Sequence, residues 1–379
     1  MKNFDVYPLF DIEPVKANGS WLWDKNGKKY LDLYGGHAVI SIGHTHPTYV
    51  KRISDQLNNI AFYSNSIKIS LQEELADKLG KLSGYEDYFL FLCNSGAEAN
   101  ENALKLASFH TGKKKIISFT KGFHGRTSLA VAATDGASMQ APVNKTENTI
   151  LLPFNDEEAL EKNFSEEVAA VIVEGIQGVG GVQIPTDGFL LKMRQLCDKY
   201  GAVLILDEVQ SGYGRSGKFF AHQHSNVVPD LITTAKGMGN GFPIAGVLIS
   251  PVFKAVHGML GTTFGGNHLA CAAGIAVLDV IKEENLIEHS AEMGQYLMDK
   301  VKNIQGVRSV RGYGLMVGIE LEVACAEIRS ALLFQHSMFT GSSSDKNTIR
   351  ILPALNIKKE ELDLFISAFE SVLSKILVK

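Results

Sequence analysis

Cysteine is scarce in this chain. The four present among 379 residues, Cys93, Cys197, Cys271 and Cys325, lie far apart and never in CxxC spacing. That excludes a dense disulfide framework and a thiolate zinc site, and the four read as small core residues in a reducing cytoplasm. Long apolar runs are missing too: no stretch of eighteen occurs, so no segment reads as a membrane span. The opening MKNFDVYPLFDIEPV carries acids and proline where a secretory leader would need an apolar core, so we expect a soluble, cytoplasmic protein. Basic charge is not in excess. The net charge of −4 gives no reason to expect nucleic acid or an anionic membrane as a partner.

What is present points to an α/β protein. Apolar runs of strand length alternate with helical patterns at 88–94, 115–119, 168–176, 202–209, 231–235 and 244–250. Runs this short and this rich in Val, Ile and Leu predict strands buried on both faces, in a mainly parallel sheet covered by helices. Ser70 and Glu73 are spaced as a capping box, and Asp187 stands where it can cap the helix that closes at Gly201. After about residue 285 helical periodicity dominates. A final amphipathic helix puts Leu362, Phe365, Ile366, Phe369, Val372, Leu373 and Ile376 on one face. The length exceeds what one core usually serves, so we expect a large domain over 50–285 and a smaller one from 1–49 with 286–379.

The chemistry concentrates where strands end. LILDEVQSGYGRSGK (204–218) is an apolar strand finishing in Asp207, and TTAKGMGNGFPIAG (233–246) delivers Lys236 into a glycine-rich turn. Ligand sites of α/β sheets lie at the carboxyl ends of strands, and a carboxylate buried there needs a partner. A lysine amine that can bond an aldehyde, with a carboxylate that keeps a pyridine nitrogen protonated, is what pyridoxal phosphate needs from a protein. Taken alone, a lysine before glycines is as readily a solvated loop residue. Val209 shares the face of Asp207 and can pack on a flat ring, Gln210 can hydrogen-bond a ring hydroxyl, and Glu208 faces the other way.

Three further segments add to this. In CNSGAEANENALKLA (93–107) the free N–H groups of a helix start, at Gly96 and Ala97, can cradle a phosphate; Ser95 can equally be an ordinary cap. The glycines of that turn fit neither GxxxxGK[ST] nor GxGxxG. In FTKGFHGRTSLA (119–130) Phe123 can stack on a heteroaromatic ring and Arg126 can grip a carboxylate, or the two can be a core residue and a surface ion-pair partner. GIQGVGG (175–181) reads as a loop that shapes a pocket. His44 and His46 of GHTHP have no third ligand and read as turn structure, so no metal is expected.

In order, GSWLWDKNGKKYLDLYGG, GHTHP, NSGAEANE, FHGRT, VEGIQG, LDEVQSGYGR, AKGMGNGFPIAG, TTFGGNHLA and IRILPALNI resemble the class III, ornithine-aminotransferase-like family of pyridoxal-phosphate aminotransferases. The resemblance covers nearly the whole chain and is strongest to the acetylornithine branch. It implies a fold-type I enzyme, with a mainly parallel seven-stranded sheet in a large domain and a smaller α+β domain. It implies that Lys236 bonds the cofactor and then shuttles the substrate proton, and that Asp207 pairs with the pyridine nitrogen. Gln210 would meet the ring hydroxyl, Phe123 and Val209 would sandwich the ring, and Gly96 with Ala97 would hold the phosphate. A homodimer with shared sites is implied, in which Thr263 reaches the neighbouring subunit's cofactor phosphate. Arg126, with Thr262 nearby, would bind the amino-acid carboxylate, and Arg350 the dicarboxylate partner.

Two departures bear on substrate. The family usually has glutamate in the glycine-rich loop, where it masks the second arginine, and this chain has Val179. Trp21 and His37 stand where ornithine-type enzymes often have tyrosines, which suggests an altered substrate pocket. The expected reaction moves the terminal amine of an N-acylated ornithine, foremost N-acetylornithine, to 2-oxoglutarate in arginine biosynthesis. N-succinylornithine, ornithine and 4-aminobutyrate are competing donors, and an aminomutase is a rival within the same chemistry. A non-catalytic binding module of the same fold is the alternative from another class, and the retention of Lys236 and Asp207 speaks against it.

Overall fold

The run VAAVIVE shows how the apolar pattern becomes architecture. All seven residues of Val168–Glu174 are buried, and successive side chains point to opposite faces. Ala170 and Ile172 enter a core beneath the helix Gly96–Thr111, whereas Val171 and Val173 enter another beneath the helix Asp187–Tyr200. Two apolar faces require two helical layers. The computed structural model describes residues 1–378 and has this arrangement at its centre.

Strands β1 (Pro14–Asn18), β2 (Trp21–Asp24) and β3 (Lys29–Asp32) join β13 (Met338–Phe339) in a small sheet drawn from both halves of the chain. The central sheet contains β4 (Phe89–Cys93), β5 (Lys115–Phe119), β6 (Thr149–Leu152), β7 (Val168–Glu174), β8 (Val203–Asp207), β9 (Leu231–Thr234) and β10 (Ala245–Ile249). Their order is β4-β10-β9-β8-β7-β5-β6. Only β10 runs antiparallel to its neighbours, and the other pairings are parallel. A third, antiparallel sheet holds β11 (Val307–Tyr313), β12 (Met316–Leu321) and β14 (Thr348–Ile351).

Six of the seven central strands coincide with the apolar runs of the sequence. The seventh, β6, is a four-residue edge strand with mostly half-exposed side chains, too short and too open to carry a pattern. The final helix, Lys359–Leu377, buries Leu362, Phe365, Phe369, Val372 and Leu373 as its periodicity predicts. Two expected caps are not formed. Ser70 is already the first residue of the helix Ser70–Ser83, with Ile69 at the cap position and no side-chain cap, so the Ser70–Glu73 box does not form. Thr186, not Asp187, caps the helix Asp187–Tyr200, its hydroxyl accepting from the Phe189 N–H at 3.2 Å. Asp187 lies one residue inside, where its charge suits the helix dipole, and it accepts from Ser225 Oγ. No helix among the described residues is long and apolar enough to cross a membrane.

Candidate active site

Register brings the acids together. Glu174 and Asp207 are the last residues of the parallel neighbours β7 and β8 and stand directly opposite each other, with Thr233 of β9 beyond. Lys236 follows β9 by two residues, with φ +43, a left-handed conformation that a lysine adopts only when its surroundings over-determine it. Glu174, Asp207 and Lys236 line one cavity of about 400 Å³ with Gly96, Ala97, Phe123, Arg126, Val179, Val209 and Gln210.

Asp207 is held on every side. Its Oδ2 accepts from Asn100 Nδ2 at 2.7 Å and pairs with His124 Nδ1 at 2.7 Å, while Oδ1 accepts from the Val209 N–H at 3.0 Å. Asn100 is fixed in turn, its Oδ1 accepting from Thr233 Oγ1 at 2.6 Å. Burial pushes the His124 imidazole down, but the hydrogen bond and charge of Asp207 outweigh it and leave the proton held above the ordinary value. Glu174 accepts from the N–H groups of Phe123 and Gly178, and so pins both the stacking phenylalanine and the glycine-rich loop. Burial, with Asp207 adding to it and His124 opposing, raises the Glu174 carboxyl to about 7. Burial also lowers the Lys236 ammonium from its usual value against the pull of Asp207 and Glu174, so its neutral amine is accessible.

Asn100, His124 and Glu174 are functional neighbours that the sequence reading did not single out. Glu174 carried the same signal as Asp207, an acid closing a buried apolar run. Asn100 and His124 carried none that spacing could disclose, because the strands between them and Asp207 supply the proximity.

Ser95 caps the helix at Gly96 by accepting from the Glu98 N–H at 3.2 Å, which leaves the N–H groups of Gly96 and Ala97 without intrahelical partners. A Ser95 cap and free N–H groups at the helix start therefore coexist. The backbone there is bare by necessity: a Cβ on Gly96 would lie 2.6 Å from Val209 Cγ1, and one on Gly125 would lie 2.7 Å from Ala97 Cβ. Phe123 and Val209 are both half-buried on this cavity. A lysine amine, a fixed carboxylate, two apolar ring faces and a positive helix end form a donor set that fits pyridoxal phosphate.

The substrate candidates are more dispersed. Arg126 lines the cavity and is exposed. Arg350 is buried one layer behind, donating from Nη1 to Gln210 Oε1 at 3.2 Å, while Gln210 Nε2 donates to the His37 carbonyl at 3.0 Å. Both ends of the Gln210 amide are thus engaged with protein. Thr262 lies off the cavity lining, its Oγ1 accepting from Asn94 Nδ2 and the Gly265 N–H. Thr263 is exposed and also lies off the cavity. The structure does not bring Trp21 to the cavity. Its indole N–H donates to Glu361 Oε1 at 2.6 Å and the Lys29 ammonium sits 3.7 Å over its ring, which hold it on the small sheet. His44 and His46 go to different acids, Asp32 and Glu284.

Residues 4–373 match the class III aminotransferase family. The acetylornithine aminotransferase of Nitrosomonas europaea is 39% identical over 386 residues, covering 98% of this chain and 97% of that protein. Among solved structures, the ornithine aminotransferase of Toxoplasma gondii superposes with a TM-score of 0.92 at 26% identity, over 98% of this chain and 92% of that one. The acetylornithine aminotransferase of Elizabethkingia anophelis gives 0.84 at 30% identity, over 98% and 96%.

Proposed function

Because the chain belongs to the class III aminotransferases, we propose that it moves the terminal amine of an N-acylated ornithine, foremost N-acetylornithine, to 2-oxoglutarate in arginine biosynthesis. It is an aminotransferase, and its cofactor is pyridoxal phosphate. The observation that carries the chemistry is a half-buried lysine sharing one cavity with a buried, fully hydrogen-bonded aspartate.

When bound, pyridoxal phosphate supplies an aldehyde that bonds amines and a protonated ring that draws electrons from the carbon beside the nitrogen. Asp207 would hold the ring nitrogen, with a carboxylate that Asn100, His124 and the Val209 N–H have already oriented, so that little reorganisation would accompany charge development. Lys236 Nζ, whose proton burial loosens, takes a proton from the substrate carbon and returns it at the neighbouring atom. The Gly96 and Ala97 N–H groups would hold the phosphate, while Phe123 and Val209 would exclude water from the ring faces. Arg126 orients the amino-acid carboxylate, and Arg350 takes the second carboxylate of 2-oxoglutarate.

One observation favours a second donor. Arg350 has no ion-pair partner among the described residues, which suits an acyl group ending in a carboxylate, as in N-succinylornithine. The active unit is a homodimer in which Thr263, exposed on this chain, serves the neighbouring site. Four buried, unpaired cysteines support a reducing compartment, the cytoplasm. Steady-state rates with acetylornithine, succinylornithine and free ornithine, each with 2-oxoglutarate, test the donor; a preference for free ornithine refutes the acylated substrate. Lys236→Ala should abolish turnover together with the cofactor's lysine-linked absorbance, and retention of full turnover refutes the assignment.

A further inference from the structure

Arg350 is almost wholly buried, and every group it touches is neutral. Its Nε donates to the Ser342 carbonyl, Nη1 to Gln210 Oε1 at 3.2 Å and Nη2 to the Tyr34 hydroxyl at 3.4 Å. A buried guanidinium without an acid is costly. A second cation lies close by: Arg329 donates to the Thr340 carbonyl at 3.0 Å, and its Nε is buried without a hydrogen-bond partner. Burial raises the Tyr34 phenol, while the charges of Arg350 and Arg329 pull it back, so both cations act on this hydroxyl. The arrangement is an anion site closed by neutral groups.

Tyr34 is placed there by unusual backbone. Gly35, Gly36, His37 and Ala38 all have φ between +54 and +69, a left-handed turn that two of these four residues strongly resist. Strain of that kind persists where the surroundings enforce it, and functional sites are where it clusters. The turn brings His37 back onto Tyr34, so that the phenol hydroxyl meets His37 Nδ1 on one side and Arg350 on the other. Gln210, which lines the cavity, closes the ring by holding the His37 carbonyl. Opposite, Gly341 pairs backbone to backbone with Arg350, and a Cβ on it would lie 2.6 Å from the Tyr34 ring. The phenol lies where it does because position 341 has no side chain.

We propose that Tyr34 is a specificity-determining positioning residue for substrate carboxylates, fixing the Arg350 fork with a neutral hydroxyl so that a dicarboxylate enters without displacing an acid. The assignment rests on the aminotransferase reading, and it concerns the carboxylate end of the substrate. Tyr34→Phe keeps the ring and its packing and removes only the oxygen. Gly341→Ala pushes the ring aside with the oxygen still present.

Glutarate, a dicarboxylate with no keto group, is the probe, titrated calorimetrically into the holoenzyme. Its dissociation constant should rise about three- to tenfold in Tyr34→Phe, as expected for losing one long hydrogen bond to a charge. The KM for 2-oxoglutarate should rise by the same factor, with kcat and the KM for N-acetylornithine within twofold. Gly341→Ala should act in the same direction, and add nothing further in a Tyr34→Ala background. An unchanged or tighter glutarate constant in Tyr34→Phe overturns the proposal. Absence of amine transfer by the parent enzyme would refute the reaction instead, and leaves the glutarate titration readable.

Discussion

Gly96→Ala is a small change with a large expected consequence. The added methyl would lie 2.6 Å from Val209 Cγ1 and 3.0 Å from Cγ2, where carbon atoms prefer about 3.5–4.0 Å. Val209 cannot easily yield. It is branched at Cβ and therefore stiff, and its own N–H is bound to Asp207 Oδ1. Either the valine turns into the space of the cofactor ring, or the helix start moves away from the phosphate. Overpacking of this kind costs about 1–3 kcal/mol. Expressed in cofactor binding, that is a dissociation constant weaker by about 5- to 150-fold. Titration of the apoenzyme with pyridoxal phosphate, followed by absorbance, reads the constant directly. Shortening the valine tests the cause: Gly96→Ala with Val209→Ala should bind more tightly than Gly96→Ala alone. A cofactor constant within twofold of the parent in the single variant would refute the argument that the helix start and the ring face are pressed together.

Asp207→Asn preserves shape while removing the charge and one acceptor from His124 and Asn100; turnover should fall by about 10²-fold or more, and a loss below tenfold would contradict the role. Glu174 has a folded value near 7, above its ordinary 4.5, so the folded state binds the extra proton. Its contribution to stability is then complete below about pH 4.5 and is lost as pH rises through 7. Glu174→Gln should accordingly raise the apoenzyme Tm relative to the parent more at pH 8 than at pH 5, and an equal difference at both would refute this. Thr186→Ala should cost about 1 kcal/mol in urea unfolding, and Asp187→Ala less. The reverse order would return the cap to Asp187.

The parts of the site legible in the sequence were those carried by one strand and its following turn. Asp207 could be placed because an acid closes a buried apolar run, and Val209 and Gln210 because they sit in the turn that directly follows it and line the same cavity. Lys236 and Gly96 could be placed because glycines mark where backbone meets ligand. Caps failed by one residue, since the pattern fixes a helix start only to within a residue and backbone dihedrals choose: Ile69, with no polar group, takes the cap position before Ser70, and Thr186 takes it before Asp187. Trp21 lies off the cavity for another reason. Its expected place came from alignment to a family position, but the Glu361 carboxylate and the Lys29 ammonium decide where the indole lies.

Arg215 explains why the carboxylate end of the site left no local trace. Its guanidinium is buried and donates to the carbonyls of Leu315, Pro353 and Ile40, while its own carbonyl accepts from Ser290 Oγ and the Leu315 N–H. Burial holds it down to about 9, with Asp32 opposing, and removing it would leave the carbonyls of Leu315, Pro353 and half-buried Ile40 without this donor. Ile40 follows the left-handed turn that carries Tyr34 and His37. Pro353 follows the strand that carries Arg350, and Arg215 itself follows the loop that carries Gln210. One buried cation outside the cavity therefore sets the mutual positions of the residues that close the ring around Arg350. The arrangement around Arg350 is a property of three distant segments meeting at Arg215, and periodicity along any one of them contains no record of it.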